Sequence, residues 1–187
     1  GDLVNLSVTN NPGAVYTWGA SSPNAGLVLS TNNSTTMLAT VAGTYNISVF
    51  QTLAGCTSAA SNIPVVVHPI PPTLSAASVS GSDPVTCGGN DGSIIFSGLP
   101  NNATYTLTYS KNNVEVNTSI TTSGTGGAVV TALSAGNYTN FSLTGIGGCE
   151  SNPFAGPVVL SDPGSPAAPA GLTALPNPVC FGSAVNL

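Results

Sequence analysis

The tetrapeptide Ala42-Gly43-Thr44-Tyr45 returns as Ala135-Gly136-Asn137-Tyr138, an interval of 93 residues that further features share. Gly55-Cys56 maps onto Gly148-Cys149, Pro64-Val65-Val66 onto Pro157-Val158-Val159, and Cys87 onto Cys180. A fixed interval constrains the fold more than any single motif, because each copy must then fold by one plan. A second interval, of 181 residues, sets Gly182-Ser183-Ala184-Val185-Asn186-Leu187 over Gly1-Asp2-Leu3-Val4-Asn5-Leu6 with four of six positions identical. Together the two intervals imply one period of a longer tandem array. On that expectation the first unit's leading cysteine falls just before Gly1, and the C-terminal tail opens the next unit.

The local pattern says what kind of unit repeats. Segments such as LVNLSVT, AVYTWGA, TYNISVF and IPVVVH, and later GSIIFSG, TYTLTYS, VEVNTSITT and GAVVTAL, are short and rich in Val, Ile, Thr and Tyr. Several alternate with period two, as half-buried strands do, and no window keeps helical spacing over three turns. Clusters of Gly, Pro, Asn and Ser separate them, as in TNNPGA and SSPNAG, and supply turn geometry. Short strands at this spacing predict an all-β chain of two tandem immunoglobulin-like β-sandwiches. Proline gives no backbone N–H and stiffens a connector, so HPIPPTLSAA near residue 70 and SDPGSPAAPAGL from Ser161 read as joints. The expected domains are residues 1–69 and 70–163, with 164–187 a Pro-rich linker and the start of the next repeat; the first strand of the first domain would be supplied partly by the preceding repeat.

Charge narrows the function classes. Only 4% of residues are charged, where about 25% is usual, and Lys111 is the only basic side chain. Nothing can neutralise phosphates, so nucleic acid and anionic membrane surfaces are poor partners. No apolar run approaches the roughly 20 residues that span a bilayer. No basic, apolar, cleavable leader opens the sequence, so any export signal is expected outside it. With 41% hydrophobic residues, solubility rests on Ser, Thr, Asn and Gly, which suits a surface structure exposed to changing salt and pH.

Trp18 in VYTWG falls where a sandwich buries the aromatic residue of its third strand, although a lone Trp can also stack on a sugar ring. Tyr45 and Tyr138, each after Ala-Gly, fit the tyrosine that pins the turn into the sixth strand. The cysteines Cys56, Cys87, Cys149 and Cys180 suggest disulfides in an export-like chain. One arrangement pairs Cys87 with Cys149 inside a module and leaves Cys56 and Cys180 for neighbouring repeats; a rival bridges the touching ends of adjacent modules. The first requires a short first strand, because the relevant turns lie at opposite ends of a standard sandwich. Zinc spacing is absent, and His68 stands alone in a joint beside Pro69.

Asp83, Asp91, Glu115 and Glu150 hold most of the acid, and GGNDGS around Asp91 resembles part of a calcium loop, though Asn-Asp-Gly also makes a plain turn. No cofactor and no catalytic triad or carboxylate pair is expected, so the chain reads as a non-enzyme. Glycosylation sequons at Asn5, Asn32, Asn33, Asn46, Asn102, Asn117, Asn137 and Asn140 are what a chain so rich in Asn, Ser and Thr produces by composition.

The succession VCFG, VNLSV, YTWGA, AGTYNISV, GCTS and PVVV, followed by TCGGNDGSI, LSAGNY and GGCES, resembles the tandem immunoglobulin-like and SprB-type repeats of giant Bacteroidetes surface adhesins. Cys87–Ile94 is the closest match, while TYTLTY stands where the second repeat would carry a Trp. The resemblance implies export by the type IX pathway, a cell-surface and extracellular location, and a role in attachment or gliding. The expected function is a spacer in a long extracellular fibre, with neighbouring copies as partners and surface polysaccharide or abiotic surfaces as what the fibre meets. Two sandwiches end to end would advance on the order of 60 to 80 Å per period. One alternative is a noncovalent fibre in which Asn177–Leu187 is donated as a strand to the next subunit. Another is a carbohydrate-binding accessory module acting through Trp18.

Overall fold

In a computed structural model of the chain, residues 2–173 and residue 181 are described. The fold is all-β and antiparallel, with two short 3-10 turns among the described residues, at Pro23–Ala25 and Ile146–Gly148. Six strands form an N-terminal unit: β1 (Val4–Ser7), β2 (Val15–Ala20), β3 (Ser34–Met37), β4 (Gly43–Leu53), β5 (Cys56–Thr57) and β6 (Ser61–Val67). Seven form a C-terminal unit: β7 (Val79–Ser82), β8 (Gly92–Phe96), β9 (Thr104–Lys111), β10 (Val114–Thr121), β11 (Ala128–Leu133), β12 (Gly136–Thr144) and β13 (Val158–Leu160). Among the described residues no strand of one unit pairs with a strand of the other.

Each unit packs one sheet over another. In the C-terminal unit the order β10-β9-β12-β13 faces β11-β8-β7; in the N-terminal unit β4 lies between β2 and β6, also pairs with β5, and faces the two-stranded pair β1-β3. Period-two alternation places the cores. Tyr16 and Trp18 of β2 point inward between outward Val15 and Thr17, and Tyr105, Leu107 and Tyr109 of β9 do the same. Along β12 the register slips between Thr139 and Ser142, where Asn140 takes a left-handed φ of 56°. The extra residue lets Tyr138 and Phe141, three apart, both face the core.

The C-terminal core gathers Phe96, Tyr109, Tyr138 and Phe141, with Phe154 packed against them. Phe141 stacks on Tyr109 at 6.0 Å and on Phe154 at 6.1 Å, and meets Phe96 edge-on at 6.2 Å. Each such ring contributes about 1.5–3 kcal/mol by burial. Where the N-terminal unit holds Trp18 opposite Val49, the C-terminal unit has Leu107 opposite Leu143, packed in the same core as this cluster of rings. The β9–β10 hairpin turns at Asn112-Asn113, both with positive φ (49° and 67°), the geometry a two-residue hairpin requires and that Asn tolerates.

Candidate functional site

The side chains singled out in the sequence divide into those that hold the fold and those that mark its ends. Trp18 is 5% exposed, and its Nε1–H donates to the Asn32 carbonyl at 2.9 Å. A buried indole offers no open face to a sugar ring. Tyr45 donates its hydroxyl to the Val41 carbonyl at 2.6 Å, and Tyr138 donates to Ser134 at 2.7 Å. Each bond closes the chain four residues upstream and sets the angle at which β4 or β12 enters its sheet. Lys111 packs its ammonium 5.7 Å from the Tyr138 ring centroid and also donates to Ser134 Oγ. The single basic residue therefore braces this corner. Burial raises the Tyr138 pKa against the opposing bond to Ser134; Tyr109 is raised by burial and then by Tyr138 beside it.

The acids close turns. Asp91 accepts from Thr86 Oγ1 at 3.0 Å and from the Val85 amide at 3.4 Å. Partial desolvation raises its pKa, but these bonds outweigh it and leave the carboxyl below its ordinary value. Asp83 accepts from the Ser161 amide at 2.8 Å, and Asp162 takes the Gly88 amide on both oxygens at 3.1 and 2.9 Å. The GGNDGS loop is thus tied through its Gly88 amide to Asp162 in the chain leaving β13, and Asp83 just before the loop holds the same chain at Ser161. Among the described residues no cluster of three or more His, Cys, Asp or Glu is placed to hold a metal ion.

The cysteines mark ends. Cys56 lies on β5 opposite Leu53, where β4 finishes; Cys149 lies just past Thr144, where β12 finishes. Cys87 precedes Gly88, whose bond to Asp162 places it at the other end of the C-terminal unit, where Gly136 pairs with Leu160. All three are free. The expected Cys87–Cys149 pair is therefore not made. The nine residues of β12 run between the two ends, on the order of 25 Å, whereas a disulfide needs Cα atoms within about 7 Å. Cys180 lies outside the described residues.

The units meet at His68. The Cys149 thiol donates to the His68 carbonyl at 3.9 Å, and a Cβ on Gly147 would stand 2.2 Å from the His68 ring, so the glycine is what admits the contact. His68 follows Val67, which pairs with Gly43, so the closing end of the N-terminal unit rests on the opening end of the C-terminal one. A cavity of about 490 Å³ between them is lined by Asp2, Val4, Val67, Ile70, Cys149 and Glu150. Cys56 and Cys87 are left at the two outer ends.

A second concavity, of about 500 Å³, opens at the end of β1, from Ser7 to Thr9, and is floored by Tyr16, Val49 and Gln51. Sequence reasoning did not identify it. The signal that could have done so is the 93-residue interval, which also carries Val79-Ser80 onto Leu172-Thr173. No protein-family model matches this chain, and no curated protein matches it.

Proposed function

We propose that the chain is a structural repeat unit of a long extracellular surface adhesin or filament, a spacer for attachment or gliding whose partners are neighbouring copies of itself. The observation that carries the reading is the end-on junction at His68 and Cys149, which gives each unit one end for a predecessor and one for a successor. The exposed thiols of Cys56 and Cys87 at the outer ends support it, because covalent links open to them run between consecutive units rather than across one. The polar groups that would serve chemistry elsewhere are spent on turns and corners here. An array that contacts only its neighbours can lengthen without redesign of its cores.

Immunogold labelling of cells that make the protein tests this reading. Gold should decorate fibres outside the cell envelope at regular spacing, and label confined to the cytoplasm would remove the proposal. The carbohydrate-binding alternative loses its main support, because the indole it relied on is buried. It predicts polysaccharide retention that Trp18→Phe abolishes without unfolding the unit.

A further inference from the structure

Among the described residues β1 has a strand on one side only. It pairs with β3, whereas its counterpart β8 lies between β11 and β7. A shift of 88 residues carries Val4–Val8 onto Gly92–Phe96 and sets Leu6 on Ile94, both buried. The hydrogen bonds agree with that shift. Ser97 donates to the Ser78 carbonyl, so in an alternating antiparallel ladder Ile95 and Ser93 present their backbone groups to β7. Val8 donates to the Asn33 carbonyl, so Leu6 and Val4 face β3 while Asn5 and Ser7 present theirs outward. Ser7 and Asn5 correspond to Ile95 and Ser93. The open edge of β1 thus has the register of a further strand that none of the described residues supplies.

The space for that strand is also present. In the C-terminal unit β7 closes the gap toward β13 so tightly that a Cβ on Gly81 would lie 2.7 Å from Leu160. In the N-terminal unit an open groove of about 500 Å³ lies at Ser7, Val8, Tyr16, Val49 and Ser61, beside the residue, Val8, that corresponds to Phe96 opposite the head of β7. Val79, at the head of β7 opposite Phe96, is 6% exposed; Leu172, its counterpart at an interval of 93 residues, is 86% exposed. At that interval Leu172-Thr173-Ala174-Leu175 stands at the positions of Val79-Ser80-Gly81-Ser82, with an apolar residue first and a small one third.

We propose that the β1 edge and its groove accept an antiparallel edge strand from a second copy of this chain, with Leu172 of that copy seated against Val8. The proposal deepens the end-to-end reading above and rests on it. The donated sequence is the one around Leu172, upstream of Asn177–Leu187. The chain's own Leu172 cannot serve. Eleven residues separate it from Leu160 at the outer end of the C-terminal unit, a reach of about 40 Å at full extension. The path back past the junction to Val8 is on the order of 50 Å, from the nine residues of β12 and the first half of β4.

Sedimentation velocity and amide exchange on the full reduced chain test the proposal across a concentration series. Wild-type chains should associate head to tail, with the Asn5 and Ser7 amides gaining protection as concentration rises. Leu172→Asp should weaken association at least tenfold and remove that protection, with Trp18 fluorescence unchanged because the side chain is exposed in the single chain. The variant keeps its groove, so added to wild type it should cap and shorten the oligomers. A wild type monomeric at every concentration, association indifferent to Leu172→Asp, or protection that does not depend on concentration would each overturn the groove's role. Regular extracellular fibres together with any of those results would leave the spacer reading standing and remove only the acceptor groove.

Discussion

The two units follow one strand plan but close it to different degrees. Sixteen buried apolar residues make the C-terminal core, and eight make the N-terminal one. The difference does not lie in the central strands, since β4 and β12 carry the same tyrosine corner and three buried side chains each, Tyr45, Ile47 and Val49 against Tyr138, Phe141 and Leu143. It lies at the margins. β7 brings Val79 into the C-terminal core and covers its open side, and β10 adds Ile120, whereas the N-terminal unit has no described strand in either place. Repetition of sequence therefore does not guarantee repetition of closure. A repeat can leave one edge for its neighbour to finish, which is how arrays of such units become cooperative.

Trp18 is the only Trp and sits in the N-terminal core, so its fluorescence reports that unit alone and lets the comparison be broken experimentally. The largest effect is expected from Phe141→Ala, which empties the centre of the ring cluster and should cost the C-terminal unit about 3–5 kcal/mol. Far-UV circular dichroism should then show an early transition that Trp18 fluorescence does not follow. If the two move together, the units unfold as one and the contrast drawn above fails.

Alkaline titration comes next. Tyr105, Tyr109 and Tyr138 all have raised pKa values, Tyr105 and Tyr138 through burial and Tyr109 through burial and then Tyr138. Groups raised in the folded state give stability that is complete below the unfolded tyrosine pKa of about 10 and is lost as pH rises through the folded values. The C-terminal unit should therefore weaken above about pH 10, measured as a fall in denaturation midpoint that tracks phenolate absorbance. An unchanged midpoint at full ionisation would mean that the rings titrate without leaving the core.

Tyr45→Phe and Tyr138→Phe remove one matched hydrogen bond from each unit and should cost about 1 kcal/mol apiece. The Lys111 contact to the Tyr138 ring survives in Tyr138→Phe, so a much larger loss there than in Tyr45→Phe would show that the two corner bonds are not equivalent. The smallest effect belongs to Asp91. Its lowered pKa means that the Thr86 and Val85 bonds support the loop above the unfolded value of about 4 and lose that support as pH falls through the folded value. Asp91→Asn should lower C-terminal stability slightly near neutrality and converge with wild type in acid, flattening the acid limb; an identical acid limb would show that the loop is held by Asp162 and Asp83 instead.

Much of this organisation was legible in the residues. Alternation around Trp18 and Tyr105, and turn residues such as Asn112-Asn113, are local signals, and local signals survive folding. The tyrosine corners were readable because Ala-Gly before Tyr repeats at a fixed interval. The cysteine pairing was not readable. A thiol's position in sequence says nothing of which end of a sheet it occupies, and β12 separates Cys87 from Cys149 by its whole length. The open edge of β1 was hidden for a related reason. Edge and interior strands look alike until their neighbours are counted, and here that required the register of β8 between two partners.

Lys111 carries one more consequence. It is the only bond in the chain after which trypsin can cut, and its ammonium is held between Ser134 and the Tyr138 ring at the end of a paired strand. Cleavage must wait for that hairpin to open, so the rate of a single proteolytic nick becomes a clock for the rarest motions of the C-terminal sandwich, readable on a gel without any label.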